Sequence, residues 1–424
     1  MTKHFYCEKL RYPVDAADYF AAIAGLPNAV WLDSGGMARF DIISASPHHM
    51  LAEGCSFADI RAQLGARAAP VAGIPFAGGA LGCWGYDQGA LVGIYDWALV
   101  IDHREKSASL VSHLRFPETE ALLASLSSLL QQRATLPADD FRVHGEVSCN
   151  FTKDGYARAF DAVQRYLHSG DCYQVNLAQR FCAAATGDAL HAYLKLRKLS
   201  PAPYSAYLDL PGMQVLCASP ERFIGVEGGR VETKPIKGTR PRDTDPARDR
   251  ELAAELARHP KDRAENLMIV DLLRNDLGRC CEAGSVSVPE LFEVESYAHV
   301  HHLVSTIAGT LAAGRDALDM LEASFPGGSI TGAPKLRAMQ IIAELEPDAR
   351  GVYCGSIGYV GFDGNMDSNI VIRTLVYGGG QICCWAGGGL VADSVCDAEY
   401  QETLDKASAM LSLLQQYGGQ LPPL

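Results

Sequence analysis

Two strand-like segments meeting at a Gly-Gly pair constrain this fold more than any other feature. Pro220-Glu221-Arg222-Phe223-Ile224-Gly225-Val226 precedes Gly228-Gly229, and Val231-Glu232-Thr233 follows. Glycines at both central positions supply the positive φ angles of a two-residue hairpin turn. Counting outward from that turn sets Glu221 opposite Ile236, so an acid and Lys237 fall at the same open end. Strict alternation would turn the two side chains to opposite faces. Pro235 cannot donate to a ladder, so pairing is expected to fail there and re-aim Lys237. Such an end can hold a nucleophile and a proton donor, or an ordinary surface ion pair; spacing alone favours the ion pair.

With 424 residues, the chain can bury a large core and divide into two or three domain-sized units. No apolar run is long enough to span a bilayer, and Met1–Lys9 lacks a signal-peptide segment, so a cytoplasmic protein is expected. The thirteen cysteines include no C-x-x-C pair, and the adjacent pairs Cys280-Cys281 and Cys383-Cys384 have no zinc spacing. Reduced cysteines serving as small apolar residues are expected. A net charge of −13 argues against a general nucleic-acid binder.

Within residues 1–140, Ala29–Leu32 and Ala98–Ile101 predict strands, and the leucines of Glu118–Arg133 predict an amphipathic helix with Pro117 in its first turn. Leu136–Asp140 reads as a connector. Gly79-Ala80-Leu81-Gly82-Cys83-Trp84-Gly85-Tyr86-Asp87 echoes Gly355-Ser356-Ile357-Gly358-Tyr359-Val360-Gly361-Phe362-Asp363. Chance in a chain with 41 glycines explains the echo, and so does a duplicated architecture.

Beyond residue 146, Ala159–Leu167 predicts a helix capped at Gly170, and Cys172–Phe181 a half-buried strand. Asp245-Pro246 opens a helix that stops before Pro260, and a second helix runs to Gly278. The middle of that second helix is apolar on most sides, which predicts burial, so Glu265 near its start needs a partner such as Lys261 or the helix dipole. His299 and His301 fall on one strand face and His302 on the other, which disfavours a zinc triad. In Phe325–Lys335, Pro334 and the lack of a Ser or Thr after Lys335 speak against a nucleotide loop, although a helix N-terminus there suits a carboxylate. Ile370–Thr374 reads as the end of a strand. Gly387-Gly388-Gly389 after a strand is either a flexible loop or, beside Arg373, an anion cradle. Glu399, Glu402 and Lys406 share a helix face, as a solvated ion-paired face or as carboxylates around a hard cation.

Ser219-Pro220-Glu221-Arg222-Phe223 and Pro235-Ile236-Lys237-Gly238-Thr239 resemble the chorismate-utilising enzymes, and further matches cover most of residues 146–414. Lysine before Gly-Thr resembles the aminodeoxychorismate synthase branch; anthranilate synthases usually carry alanine there, and isochorismate synthases place a lysine in a different motif. The resemblance implies an α+β fold, a layered α/β/β/α sandwich of two large, mostly antiparallel sheets. Residues 1–140 would contribute to the sandwich and 146–414 form the chorismate-binding catalytic domain. In some members the N-terminal part holds tryptophan; Trp31-Leu32-Asp33-Ser34 lies where that motif would begin but is short, and reads as a packing strand.

By resemblance, Lys237 is the nucleophile, Glu221 the acid and His302 an active-site histidine near the substrate ring. Thr239, Ser329, Thr331, Tyr353, Arg373, Gly387, Gly388, Gly389 and Lys406 are implied substrate contacts. Glu265 and Glu402 are implied magnesium ligands, with Glu399 an outer or water-mediated one. Lys237 must lose its proton, which desolvation and the neighbouring Lys234 and Arg240 would favour, and Glu221 must keep its own. Chorismate is a dianion, so a chain of this net charge needs local cations, and Arg373, Lys406 and magnesium would supply them. Ammonia is expected from a separate glutamine amidotransferase, since no G-x-C-x-G elbow is present. With no lyase domain following, elimination to 4-aminobenzoate is expected to need another enzyme. Anthranilate synthase, isochorismate synthase and a silent chorismate-binding subunit are the rival readings.

Overall fold

The structure is a computed structural model that describes residues 5–132, 134–297 and 300–421. The first part of the chain runs β1 (Tyr6–Leu10), α1 (Ala17–Ile23), β2 (Val30–Asp33), β3 (Phe40–Ser44), β4 (His49–Met50) and α2 (Phe57–Leu64). It continues through β5 (Gly79–Trp84), β6 (Ala90–Tyr95), β7 (Ala98–Asp102), β8 (Ser107–Ser112) and α3 (Thr119–Leu130). β9 (Arg142–Cys149) and α4 (Lys153–Ser169) lead into β10 (Gln174–Thr186), α5 (Leu190–Leu199), β11 (Tyr204–Leu210), β12 (Met213–Ser219) and β13 (Arg222–Glu227). Next come β14 (Arg230–Thr233), β15 (Ile236–Pro241), α6 (Pro246–Arg258), α7 (Pro260–Gly278), β16 (Ser287–Ser296) and β17 (Val300–Thr310). The chain closes with α8 (Ala317–Ser324), β18 (Gly332–Ala333), α9 (Lys335–Leu345), β19 (Ser356–Gly361), β20 (Met366–Asn369), β21 (Thr374–Gly378), β22 (Gln381–Leu390) and α10 (Cys396–Gln416).

These strands form two antiparallel sheets. The 12-stranded sheet is ordered β1-β8-β7-β3-β2-β11-β12-β21-β22-β10-β18, with β9 also on β10. The 10-stranded sheet is ordered β15-β17-β14-β13-β20-β19-β5-β6-β4, with β16 also on β17. Between the sheets pack Val30, Ile42, Leu208 and Val215 of one and Leu81, Ile357 and Tyr359 of the other. Trp31 and Ile43 point the other way, into α1, α3, α5 and α10. On the far face of the smaller sheet, Ile60 of α2, Ile269 and Leu273 of α7 and Leu318 of α8 cover Ile224 and Val226. Strands buried on both faces read as unbroken apolar runs, which is why Val30-Trp31-Leu32 lacks alternation. The layers are therefore α/β/β/α.

Both strand orders are palindromic under one substitution. Replacing β1, β2, β3, β7 and β8 by β10, β11, β12, β21 and β22 reflects the large sheet about the β2–β11 pair. Replacing β4, β5 and β6 by β13, β19 and β20 reflects the small sheet about β5–β19. There Gly82 pairs with Gly358, its own counterpart in the sequence echo, as a two-fold axis through that pair requires. The Gly79–Asp87 echo is thus the sequence trace of a duplication. α2 and α8 are counterparts as well: each opens with a capping box, Ser56/Asp59 and Asp316/Asp319. The second copy is longer because residues 230–310 are inserted between its β13 and α8.

Two expectations are corrected here. Cys182 and Cys383 lie directly opposite on β10 and β22 and are disulfide-bonded, so not every cysteine is a free thiol. Facing positions on paired strands bring two Cβ atoms close enough for this. α7 buries one side only, through Ile269, Val270, Leu273 and Leu277, whereas Leu267 is 47% exposed; the other side faces away from the sheet.

Candidate active site

The Gly228-Gly229 turn has both φ angles positive and sets the register as counted, with Gly225 opposite Glu232 and Val226 opposite Val231. β13 begins at Arg222, and the amide of Ile236 still reaches the carboxyl of Glu221 just before it. After Pro235 the chain leaves β13 but stays on β17, with which β14 already pairs, and the register slips by one residue between Ile236 and Thr239. Gly238 absorbs the slip at φ +81°, where a Cβ would also strike Asp262 and Leu256. This bulge turns Lys237 toward Glu221.

Glu221 lies where the chain crosses from the large sheet (β12) to the small one (β13). Arg373 lies where it crosses back, between β20 and β21. Of the strand end expected over Ile370–Thr374, only Thr374 is strand, as the first residue of β21: the crossing interrupts the ladder at residues 370–373, and Arg373 adopts φ +53°. The two crossings are bonded together, the Ser219 hydroxyl donating to the Ile370 carbonyl (2.6 Å) and the Ile370 amide to the Glu221 carbonyl (3.0 Å). Backbone free of ladder constraints, held on both sides by sheets, is suited to presenting functional side chains.

Glu221 is 6% exposed, and burial raises its carboxyl above the usual range despite the Ser329 hydroxyl, Lys237, the Ile236 amide and Lys406. Lys237 donates to the Ser329 carbonyl (3.2 Å). Burial lowers its ammonium below the ordinary lysine value; Lys406 adds to that, while Glu265 and Glu221 oppose it. Contrary to expectation, Lys234 and Arg240 are not among the main causes of this shift. Lys234 pairs with Glu295 (2.8 Å), and Arg240 with Glu255 and Asp262 (both 3.2 Å). Ser329 thus touches both members of the acid–amine pair.

His302 sits opposite Thr239 on β17 and β15, its Nδ1 2.9 Å from the threonine hydroxyl. Burial, then the nearby Arg373, lowers it to about 4, so the imidazole is neutral near pH 7. His299 lies outside the described residues. Burial lowers the Arg373 guanidinium, and no carboxylate of the described residues offsets this. Such a cation calls for an anion. Tyr353 is 3% exposed and stacks on Trp385 (6.0 Å). Thr331 is fully buried and spends its hydroxyl on the carbonyls of Gly327 and Gly328.

Gly387, Gly388 and Gly389 lie inside β22, paired with Ala178, Leu177 and Asn176 of β10, so the run is strand and not a loop. A Cβ on Gly388 would meet Glu399 Oε2 at 3.2 Å and Glu402 Oε1 at 3.5 Å, so its bare backbone makes room for these carboxylates. Lys406 reaches Glu402 (2.6 Å) and the Gly387 carbonyl (3.0 Å). Burial would raise the Glu402 carboxyl, but Lys406, Lys261 and Lys237 together lower it. Burial raises Glu265, with Lys237 and Lys261 opposing. Lys261 stands between Glu265 (4.0 Å) and the buried Glu399 (3.6 Å). Among the described residues no three potential ligands are drawn tightly enough to hold a metal as they stand. The donors nonetheless fit magnesium in kind: all are carboxylate oxygens, Glu399 and Glu402 face the space beside Gly388, and Lys261 already runs between Glu265 and Glu399.

Sequence reasoning missed Ser219 and Gly238. Ser219 adjoins the Pro220-Glu221 pair, and Gly238 adjoins Lys237 in a strand otherwise free of glycine, the ordinary mark of a bulge. The cavity edged by Leu32 and Asp33, about 210 Å³, lies between the sheets, while Trp31 is wholly buried as a packing residue.

Residues 67–412 match a family model described as chorismate binding enzyme. The chain is 47% identical to an aminodeoxychorismate synthase component 1 of Escherichia coli (strain K12), covering 95% of this chain and 97% of that protein. It is 39% identical to an anthranilate synthase component 1 of Geobacillus stearothermophilus over 81% of this chain and 75% of that one. Among solved structures, anthranilate synthase component I from Streptococcus pneumoniae TIGR4 superposes with TM-score 0.78 at 31% identity, covering 88% of this chain and 92% of that one. The menaquinone-specific isochorismate synthase of Escherichia coli shares the fold at TM-score 0.78 and 19% identity, covering 97% of this chain and 95% of that one. The chain belongs to the family of chorismate binding enzymes.

Proposed function

We propose that this chain converts chorismate and ammonia to 4-amino-4-deoxychorismate through a covalent adduct on Lys237. The supporting observation is an amine and an acid, both bonded to Ser329, whose burial favours the neutral amine and the protonated carboxyl. Lys237 Nζ attacks the ring carbon next to the one bearing the carboxylate, and the ring double bonds shift. The allylic C–O bond breaks, and Glu221 gives its proton to the departing hydroxyl, releasing water. Ammonia bonds to the carbon so vacated, the double bonds shift back, and the bond to Lys237 breaks. The Glu221 carboxylate takes the surplus proton from the new nitrogen, which restores both groups.

Arg373 forks one substrate carboxylate, and Lys406 meets the other from the mouth of the site. Glu265 and Glu402, with Glu399 behind them, would hold magnesium, which when bound offsets substrate charge and orients a carboxylate. Thr239 positions His302, which burial and Arg373 keep neutral, against the ring. Ammonia would come from a separate glutamine amidotransferase, in keeping with the "component 1" in the relatives' names.

Relatives named for either amine product fall in the same identity range, so identity does not separate the branches. Lys237, where anthranilate synthases usually carry alanine, favours the para amine. The test is to incubate the protein with chorismate, magnesium and an ammonium salt and identify the product by NMR. 4-Amino-4-deoxychorismate supports the reading; anthranilate, isochorismate or no turnover overturns it.

A further inference from the structure

We propose that Arg350 is a positioning residue for the chemistry at Lys237 and Glu221, holding the Ser329 loop in place, and that Tyr86 and Asp87 of the N-terminal half hold Arg350. The inference rests on the function proposed above and extends it to a group that touches no substrate.

Arg350 is 1% exposed and spends its guanidinium entirely inside the protein. Nε and Nη2 fork the Glu346 carboxylate at 2.9 and 2.7 Å. Nη1 donates to the Ile330 carbonyl (3.0 Å), and Nη2 also to the Asn176 carbonyl on β10 (2.7 Å). Glu346 accepts in turn from the Ala178 amide (2.9 Å), which fixes the pair to the same strand. The Ile330 carbonyl takes a second bond from the Asn176 side chain (2.9 Å). Ile330 follows Ser329 directly. The residue that contacts both the acid and the amine is therefore held to β10 through its neighbour's carbonyl, and Arg350 supplies one of the two clamps.

Arg350 is held from the other half of the molecule. Its guanidinium lies 4.9 Å from the Tyr86 ring and 5.7 Å from that of Tyr353. The Asp87 carboxylate accepts from the Arg350 amide (2.9 Å) and the Gly351 amide (2.7 Å). Tyr86 and Asp87 end the first copy of the sequence echo. Their counterparts, Phe362 and Asp363, end the second, where Arg115 lies 4.9 Å from the Phe362 ring. Each echo aromatic thus carries an arginine, but Arg115 follows β8 whereas Arg350 precedes β19, so the two are not counterparts, and only Arg350 is bonded to the loop beside Lys237.

The test compares Arg350→Lys, Asp87→Ala and a matched control, Arg115→Lys, in the full chain. Three readouts are taken: Tm, kcat and KM with ammonium across pH, and the pH dependence of Lys237 acylation by acetic anhydride, read by peptide mass spectrometry. Arg350→Lys keeps a cation for Glu346 but loses the fork. It is expected to lower kcat on the order of 10- to 100-fold, with a smaller change in KM. Lys237 acylation should move toward the pH of an ordinary lysine as water enters beside a loosened Ser329. Asp87 is exposed, so Asp87→Ala should fold and show a several-fold fall in the same direction, while Arg115→Lys should leave both profiles unchanged. A lower Tm with wild-type kcat and acylation profile in Arg350→Lys, or in Asp87→Ala should the former not fold, overturns the proposal. If the wild-type protein turns over no chorismate, the function reading fails, yet the acylation profile still decides the positioning of Lys237.

Discussion

Lys237 and Glu221 must each hold the charge state that water disfavours at neutral pH. Burial acts in the required direction on both, lowering the amine and raising the acid. Activity should therefore show a bell-shaped pH dependence. Below the Lys237 pKa the amine is protonated and cannot attack; above the Glu221 pKa the acid is ionised and cannot donate. Glu221→Gln should lower kcat on the order of 100- to 10,000-fold and remove the alkaline limb, measured as kcat/KM against pH. The same burial works against folding. Lys237→Met replaces a desolvated amine with an apolar chain of similar length, and should raise Tm by about 1–3 °C in a thermal melt while abolishing turnover. The acid–amine proximity was legible because a two-residue turn fixes hairpin register, and one proline marks where it fails. The partners of Lys234 and Arg240 were not, since Glu295, Glu255 and Asp262 are brought in by tertiary packing.

Among the elements, β22 shows why a glycine run resists reading. Adjacent glycines suggest a loop, yet this run is strand throughout, each glycine fitted to a different neighbour. At Gly387 a Cβ would stand 2.6 Å from the Leu177 carbonyl oxygen, against fixed backbone. At Gly388 it would meet only the ends of Glu399 and Glu402. Gly387→Ala should therefore destabilise the fold by about 1–3 kcal/mol in urea unfolding. Gly388→Ala should change stability by less than about 1 kcal/mol but cut kcat by tenfold or more on the order-of-magnitude scale of a displaced catalytic group. Equal effects on stability would contradict this account. Arg373 could be singled out as a candidate carboxylate fork, but its crossing between sheets could not be read, because Ile370-Val371-Ile372 has a strand's composition and only topology interrupts it.

Over the whole molecule, a duplicated scaffold carries an insertion in its second copy. Lys237, Glu265 and His302 all lie within residues 230–310, while Glu221, Arg373 and Glu402 come from the duplicated frame. The echo of nine residues hinted at this, but the remaining counterparts share topology rather than sequence, so only the strand orders reveal them. α2 and α8 meet across the pseudo-axis through Arg61, which bonds Asp316 (2.8 Å) and Asp319 (3.0 Å). These groups are partly solvent-exposed, so Arg61→Ala should cost about 1 kcal/mol or less, and less again at high salt. A larger loss would mean that the halves depend on this contact more than on the shared core.

The covalent step is the central claim, and a single-turnover reaction with chorismate, magnesium and limiting ammonium, quenched in acid and digested for mass spectrometry, tests it most directly. The account predicts a transient adduct, of the mass of chorismate less water, on the peptide bearing Lys237, absent from Lys237→Ala together with nearly all turnover. Wild-type product formation by Lys237→Ala would contradict it.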